Sequence, residues 1–397
     1  MRLPHPGFVL SLGLLVAASD PASARAAAAE PPPFNNAGQP NRSQNGPWNN
    51  DVLVFRVPAD GAAERLATFP RAGVPTAARL ADGRLIAAHQ HFPADDDAAF
   101  DKVAVHFSSD EGRTWTSPAV IELEGLPAGM RFPFDPTLVP LPDGRIRLYF
   151  TSLRGRQFEE DRPAIHSAVS RDGLSYVYEA GVRFEVAGRP VIDCAVVLHQ
   201  GIFHLFAPDN GAGANPGAPN RRPEDLPSAG TAYHATSQDG LAFTREPDLR
   251  IEGSRRWLGN AQSDGPLIRF FGSGGPRGLW SATSRDGAMW TLENSLPQVM
   301  GADPGAVALQ DGAWLLVVTG PPRQGAPPDN PAGNPGPGAR TPVVNALDAN
   351  GDGTIDPQEI SNAPAALRRL DRNNDGRINP EELRPAPPPA GPNNGNR

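Results

Sequence analysis

The sequence is poor in several things, and each shortage removes a class of answers. Cys194 is the single cysteine among 397 residues, so no internal disulfide and no cysteine-built zinc site can form. Lys102 is the single lysine, and nearly every positive charge is an arginine. The formal net charge of -8 is the wrong sign for a polyanion-binding surface and suits cation binding, which excludes a nucleic-acid partner. No apolar run reaches the twenty or so residues of a membrane span. Aromatic residues are only 7 % of the chain, with four tyrosines. In their place come 42 glycines and 46 prolines, a punctuation that favours many short strands joined by turns over long helices.

The N-terminus reads as an export signal: Arg2, an apolar stretch over 8–18, then the small residues Ala22-Ser23-Ala24 as a cleavage site. The expected destination is a periplasm or the extracellular space. Composition divides the chain into a signal peptide (1–24), a Pro- and Asn-rich disordered leader (25–50), a body (51–320), a Pro/Gly linker (321–341), a small module (342–384) and a disordered tail (385–397).

The body repeats itself. VPTAARLADGR from Val74, DPTLVPLPDGR from Asp135 and DPGAVALQDGA from Asp303 align without gaps. DCAVVLHQGI from Asp193 fits with one deletion, and a weaker copy ends at Asp264-Gly265. Each predicts a strand, a tight glycine turn and a second strand. A second motif alternates with the first: SSDEGRTW from Ser108, SRDGLSY from Ser170, SQDGLAF from Ser237, SRDGAMW from Ser284 and a degenerate PADGAAE from Pro58. This second series resembles the Asp-box (BNR) repeat of sialidases and of five-bladed glycosidase propellers. The chemistry of such a box is structural: the Asp accepts backbone N–H groups across the hairpin, the Gly takes a positive φ, and the aromatic packs between sheets.

Five inner and five outer hairpins predict an all-β five-bladed propeller. An outer hairpin comes first and an inner one last, so the chain ends should complete one blade and close the ring. Strand parity then puts Asp135, Asp193 and Asp303 near the axis on one face, together with the longest loops. These three are the candidate catalytic residues. Paired carboxylates suit glycoside hydrolysis, and the resemblance implies that acids starting the inner strands of the first three blades do this work. Asp135 and Asp193 match the second and third positions, but Val74 stands at the first. The Arg-Ile-Pro that opens sialidases corresponds to Gly73-Val74-Pro75 and is missing. Glu159, Glu160, Asp209, Asp95, Asp96 and Asp97 could supply another carboxylate, and Arg221 and Arg222 could clamp one. His89 and His91, two apart on a strand, could chelate a metal with a loop Asp or simply edge the surface. A carbohydrate ligand or, alternatively, a non-catalytic role in attachment follows from this pattern.

The small module carries DANGDGTIDPQE from Asp348 and DRNNDGRINPEE from Asp371, both fitting the twelve-residue EF-hand calcium loop. In the first, the expected ligands are Asp348, Asn350, Asp352, Thr354 (through its carbonyl), Asp356 (through water) and Glu359. In the second they are Asp371, Asn373, Asp375, Arg377 (carbonyl), Asn379 and Glu382. Asp356 and Asn379 read as helix N-caps with Pro357 and Pro380 at the first helical position. The two loops start so close together that one short helix, expected over 364–370, must serve both. The pair resembles the compact EF-hands of exported bacterial proteins, with dockerin modules as the second resemblance. Ca²⁺ is the implied cofactor.

Overall fold

The computed structural model describes residues 47–59, 62–155, 162–211, 230–274, 278–293, 296, 299–323, 347, 357–368 and 370. The chain separates into two compact units, 1–323 and 324–397.

The first unit is a five-bladed β-propeller. A short 3-10 turn, Pro47–Asn49, precedes β1 (Val52–Val57) and β2 (Glu64–Phe69). The first complete blade is β3 (Ala72–Arg79), β4 (Leu85–His91), β5 (Lys102–Ser108) and β6 (Ala119–Val120). A short β7 (Glu122–Glu124) joins the outside of the second blade, pairing in parallel with its last strand. That blade is β8 (Phe134–Pro140), β9 (Ile146–Ser152), β10 (Ala164–Ser170) and β11 (Ser175–Phe184). The third holds β12 (Ala195–His199), β13 (Ile202–Pro208), β14 (Thr231–Ser237) and β15 (Thr244–Arg250). The fourth holds β16 (Arg255–Asp264), β17 (Leu267–Gly274), β18 (Leu279–Ser284) and β19 (Trp290–Leu292). Finally β20 (Ala302–Ala308) and β21 (Trp314–Thr319) pair with β1 and β2, in the order β2-β1-β21-β20, so both ends of the body build one blade. The ring closes as expected, and edges remain only at the ends of each four- or five-stranded sheet, such as outer β15.

Burial follows distance from the axis. Every residue of β9 is buried, because a middle strand is covered on both faces, whereas outer β15 is mostly exposed and charged. The five larger apolar clusters each span two neighbouring blades. Val52, Val54, Leu315 and Val317 of the closing blade pack with Ala77, Leu85 and Ala87 of the first. Ile86 and Val105 of the first meet Leu148 and Phe150 of the second. Trp257, Phe270 and Trp280 of the fourth pack on Phe206 of the third. Burying such side chains contributes roughly 1.5–3 kcal/mol each relative to leaving them in water.

The turns between third and fourth strands are held by their own side chains. Asp172 Oδ1 accepts the N–H groups of Leu174 and Ser175, and Ser170 Oγ accepts that of Gly173. Asp239 and Asp286 repeat the pattern on 241–242 and 288–289. Donation from two amides pulls the Asp239 carboxyl down to about 2. Trp115 Nε1–H caps the Gly112 carbonyl at 2.8 Å, and Trp290 does the same to Gly287 at 2.9 Å. Asp60 and Gly61, centre of the degenerate copy, lie outside the described residues.

The folded body is slightly longer than the 51–320 read from composition. Trp48 is buried against Phe92 and Phe100, Gly320 N–H donates to the Asp51 carbonyl, and Arg323 N–H donates to that of Asn49. Composition marks 25–50 as a disordered leader and 321–341 as a linker, but one buried indole and this backbone pairing hold the adjoining ends of both to the propeller.

In the second unit the described helix is α1 (Pro357–Arg368). It starts at Pro357, as the Asp356 cap requires, and runs through Pro364 instead of starting there. Pro364 removes one N–H from the ladder, a local loss that does not end the helix.

Candidate functional site

The site is made by a backbone irregularity repeated around the axis. Register shifts occur between Gly73 and Thr76, Phe134 and Thr137, Arg256 and Gly259, and Ala302 and Gly305. One extra residue at three of these places, and two between Arg256 and Gly259, form a bulge, which bends the strand and re-aims a side chain. Prolines at 75, 136 and 304 fit because a bulge frees the ladder from needing an N–H. The residue before each proline is left-handed: φ is 51° at Val74, 50° at Asp135 and 48° at Asp303, and Asp193 repeats it at 59°. Asp tolerates this region, and a β-branched Val there is strained. In the fourth blade Gly259 (φ 150°) takes the axial place. A Cβ on it would lie 2.2 Å from the Phe271 carbonyl oxygen, so no acid can stand there.

Hydroxyls of the preceding blade pin the bulges. Thr319 Oγ1 accepts the Val74 N–H at 3.0 Å, Thr151 Oγ1 accepts that of Asp193 at 3.3 Å, and Ser273 Oγ accepts that of Asp303. These positioning residues went unnoticed in the sequence. Their signal was a hydroxyl near the end of each blade's second strand, visible only once the blades are numbered.

The result is a carboxylate trio. Asp135, Asp193 and Asp303 are 4 %, 5 % and 4 % exposed and line one cavity of about 10 Å³ with Val74, Thr76, Thr137 and Gly259. Both oxygens of Asp193 and Oδ2 of Asp303 are buried without a hydrogen-bond partner. Burial, then repulsion from Asp193, holds the Asp135 carboxyl well above the carboxylate range. Burial and Asp303 do the same to Asp193, opposed by the Arg256 guanidinium. Asp303 is pushed up to about 8 by burial and by Asp135, again against Arg256. Arg256 donates to Asn210 Oδ1 at 2.9 Å. Arg131, which favours the ionised form of Asp135, is ion-paired to Asp101 at 2.6 Å, and Asp101 also accepts from Gln90 at 2.9 Å. With all three held above the carboxylate range, such a trio keeps protons at neutral pH and gives them up one at a time.

The remaining candidates are distributed elsewhere. Asp209 Oδ1 accepts from Arg189 (2.7 Å), Tyr233 (2.8 Å) and the Gly211 N–H (3.0 Å). Asp95, Asp96 and Asp97 lie on an exposed loop, where Asp96 caps the amides of Ala98 and Ala99. The sequence leaves His89 and His91 open to chelation with a loop Asp or to a plain surface edge, and His89 is not at the surface. His89 is 1 % exposed and its Nε2 lies 3.0 Å from Nε2 of His106, a neighbour brought in by strand pairing and invisible to a two-residue spacing argument. Among the described residues no group of three or more His, Cys, Asp or Glu is arranged to hold a metal. Glu159, Glu160, Arg221 and Arg222 lie outside the described residues, as do the calcium ligands of both loops except Glu359, whose backbone is in α1.

Comparison with solved structures gives remote likenesses to the propeller. A thermostable family-43 glycoside hydrolase matches at 14 % identity and TM-score 0.43, over 66 % of this chain and 96 % of that one. An N-acetylgalactosamine deacetylase from F. plautii, in complex with blood group B trisaccharide, matches at 14 % and 0.44, over 66 % and 78 %. An α-L-arabinofuranosidase from Clostridium thermocellum matches at 11 % and 0.45, over 62 % and 80 %. No curated protein sequence matches the chain. The family model of the EF hand matches residues 345–362 and 365–384; the C-terminal segment therefore carries an EF-hand calcium-binding motif.

Proposed function

We propose that this chain is an exported, calcium-binding propeller that takes a carbohydrate at its axial face and cleaves its glycosidic bond. The observation that carries this reading is the convergence of Asp135, Asp193 and Asp303 on one cavity with a carboxyl that stays protonated to about pH 8. Glycoside hydrolysis needs a protonated acid at the leaving oxygen and an ionised carboxylate opposite it. Mutual repulsion makes such acids ionise one at a time, so members of the trio can divide those roles. The sialidase-like and glycosidase-like Asp-box turns (SSDEGRTW, SRDGLSY, SQDGLAF, SRDGAMW) favour the same reading, and Arg2 with the stretch over 8–18 favours export. In the second unit Asp348, Asn350, Asp352, Thr354, Asp356 and Glu359, with the matching set from Asp371 to Glu382, hold Ca²⁺.

A second reading has its own support. Val74 occupies the axial place of the first blade, and a cavity of about 10 Å³ takes one water and not a sugar ring. These favour a non-catalytic propeller used for attachment to a protein or surface.

The deciding experiment is a glycoside panel with the full chain, its Asp135→Asn and Asp193→Asn variants, and a glycan array in parallel. Turnover abolished by either variant supports hydrolysis. No turnover and no glycan signal, with capture of a partner that is lost on chelation, supports attachment.

A further inference from the structure

Three contacts run in a line through the first blade. His89 Nδ1 lies 2.9 Å from the Gln90 carbonyl oxygen, His89 Nε2 lies 3.0 Å from His106 Nε2, and His106 Nδ1 lies 2.7 Å from the Thr116 carbonyl oxygen. Each contact needs one proton to be a hydrogen bond. A carbonyl oxygen only accepts, so both Nδ1 atoms must carry hydrogen to satisfy the ends. Two neutral imidazoles hold two ring protons in all, which leaves the Nε2 lone pairs facing each other across 3.0 Å. Moving one proton to the centre strands a carbonyl instead. The line is one proton short however the tautomers are arranged.

Two kinds of cation could make good the deficit. A metal ion between the Nε2 atoms would use the carbonyl-bound Nδ1–H groups as its outer shell. A structural zinc requires four ligands, however, and only two nitrogens converge here. A proton needs nothing more than the pair already offers.

The pair lies on a seam. Phe69, the last residue of β2 in the closing blade, lies flat on the His106 ring, 3.9 Å between centroids and 13° between planes. It also stacks on His89 at 5.8 Å and 27°, and Trp115 meets its edge at 5.4 Å. The closing blade thus docks on the first through an aromatic residue set directly on the deficient pair. His89 and His106 are 1 % and 4 % exposed. The titratable groups acting on the pair are the two rings on each other and the partly buried His91, with Asp96 acting on His91. The face presented by β2 is the uncharged Phe69.

We propose that His89 and His106 form an acid-sensitive latch on the seam between the closing blade and the first blade. Above neutrality the pair is uncharged and the seam is shut; in acid a third proton is drawn in and the seam loosens. Burial decides the direction. An imidazolium gains about 0.5–2 kcal/mol against the Phe69 face and about 1.5–3 kcal/mol from the Nε2–H···Nε2 bond it completes. Against that, a charge withdrawn from water costs several kcal/mol, and both rings are almost wholly buried. Consistently, burial lowers the proton affinity of His106 and takes His89 down to about 3. The folded state therefore binds fewer protons than the open one. Stability contributed by the pair is present above about pH 6.5 and is lost as the pH falls through the folded values.

The test is hydrogen exchange of the full chain between pH 7.5 and 5, corrected for intrinsic rates, with the β17 segment as internal reference. Protection of 64–69 and 102–108 should fall on the order of tenfold relative to β17, and the double variant His89→Leu/His106→Phe should abolish that difference. Unchanged protection in the wild type, or the same loss in the double variant, overturns the proposal. Imidazole ¹⁵N spectra of the wild type supply a measurement independent of the variant's folding. Two ring protons shared by the pair at pH 7.5 and three in acid support the latch; three at pH 7.5, or Nε2 shifts on adding equimolar Zn²⁺, overturn it.

Discussion

Asp135 and Asp303, from the second and fifth blades, meet across the axial cavity closely enough that the charge on Asp135 helps push the Asp303 carboxyl up to about 8. The two are far apart in sequence and identically presented, each left-handed before a proline at a bulge. Repetition of one backbone device around a ring is what concentrates like charges here.

That concentration has a stability consequence. Asp303 holds its proton in the folded state to about pH 8, whereas the unfolded residue releases it near the ordinary value of 3.8. Between those limits the folded chain binds more protons, so stability is greatest below about pH 4 for this group and is lost as the pH rises toward 8. The slope is at most about 1.4 kcal/mol per pH unit, or roughly 2–4 °C in Tm for each kcal/mol. Asp303→Asn should remove that loss. Thermal melts of both proteins from pH 5 to 8 check it, and parallel slopes would refute the assignment.

A different carboxylate joins two blades. Glu179 receives two hydrogen bonds from Arg147, at 2.8 and 2.9 Å, and a third from Ser167 at 2.8 Å. The same guanidinium reaches the Asp239 carbonyl in the next blade at 2.9 Å. The pair is largely buried, at 5 % and 16 % side-chain exposure. Glu179→Ala would leave Arg147 charged without its partner, a loss of about 3–5 kcal/mol. Replacing both residues with apolar side chains should cost less than that single change. Urea denaturation of the single and double variants gives the comparison.

Much of this architecture could be read from the chain itself, for a physical reason. A propeller repeats one hairpin, and each repeat needs its glycine turn, its apolar strand end and its Ser-Asp turn, so five imperfect copies reinforce one another. The three axial acids were legible because they sit at one place in that repeat. What escaped notice depends on contacts between repeats. Thr151, Ser273 and Thr319 pin a neighbour's bulge, Arg256 stands in a blade whose copy is degenerate, and His106 meets His89 only through strand pairing. Trp48 escaped because its surroundings are rich in Asn and Pro, and one buried ring outweighs composition. The left-handed conformation of Val74 could not be read at all, since β-branched residues disfavour it.

The hydroxyl of the Ser-Asp turn is a measurable contributor. Ser237 Oγ donates to Asp239 at 2.9 Å and accepts the buried Gly240 N–H at 3.0 Å. Ser237→Ala strands that amide beside Tyr149, whose hydroxyl donates to the Gly240 carbonyl at 2.8 Å. The expected loss is about 1–3 kcal/mol. A chemical denaturation midpoint unchanged from wild type would show that Asp239 and the backbone hold the turn without the serine.

Calcium offers the last separation, between the two units. The proposed ligand set of the first loop holds four carboxylates (Asp348, Asp352, Asp356 through water, Glu359) and that of the second three (Asp371, Asp375, Glu382). More ligand charge on a hard cation means tighter binding. Calorimetry on the chelator-treated full chain should therefore resolve two unequal sites, with dissociation constants of roughly 10⁻⁴ to 10⁻³ M. Glu359→Gln should remove the tighter one and Glu382→Gln the weaker. Among the described residues the propeller's core clusters run from Trp48 to Val318, so its melting transition should not move when calcium is withdrawn. A large shift of that transition on chelation would mean that the ion supports the propeller directly, and the second unit would then be part of its fold.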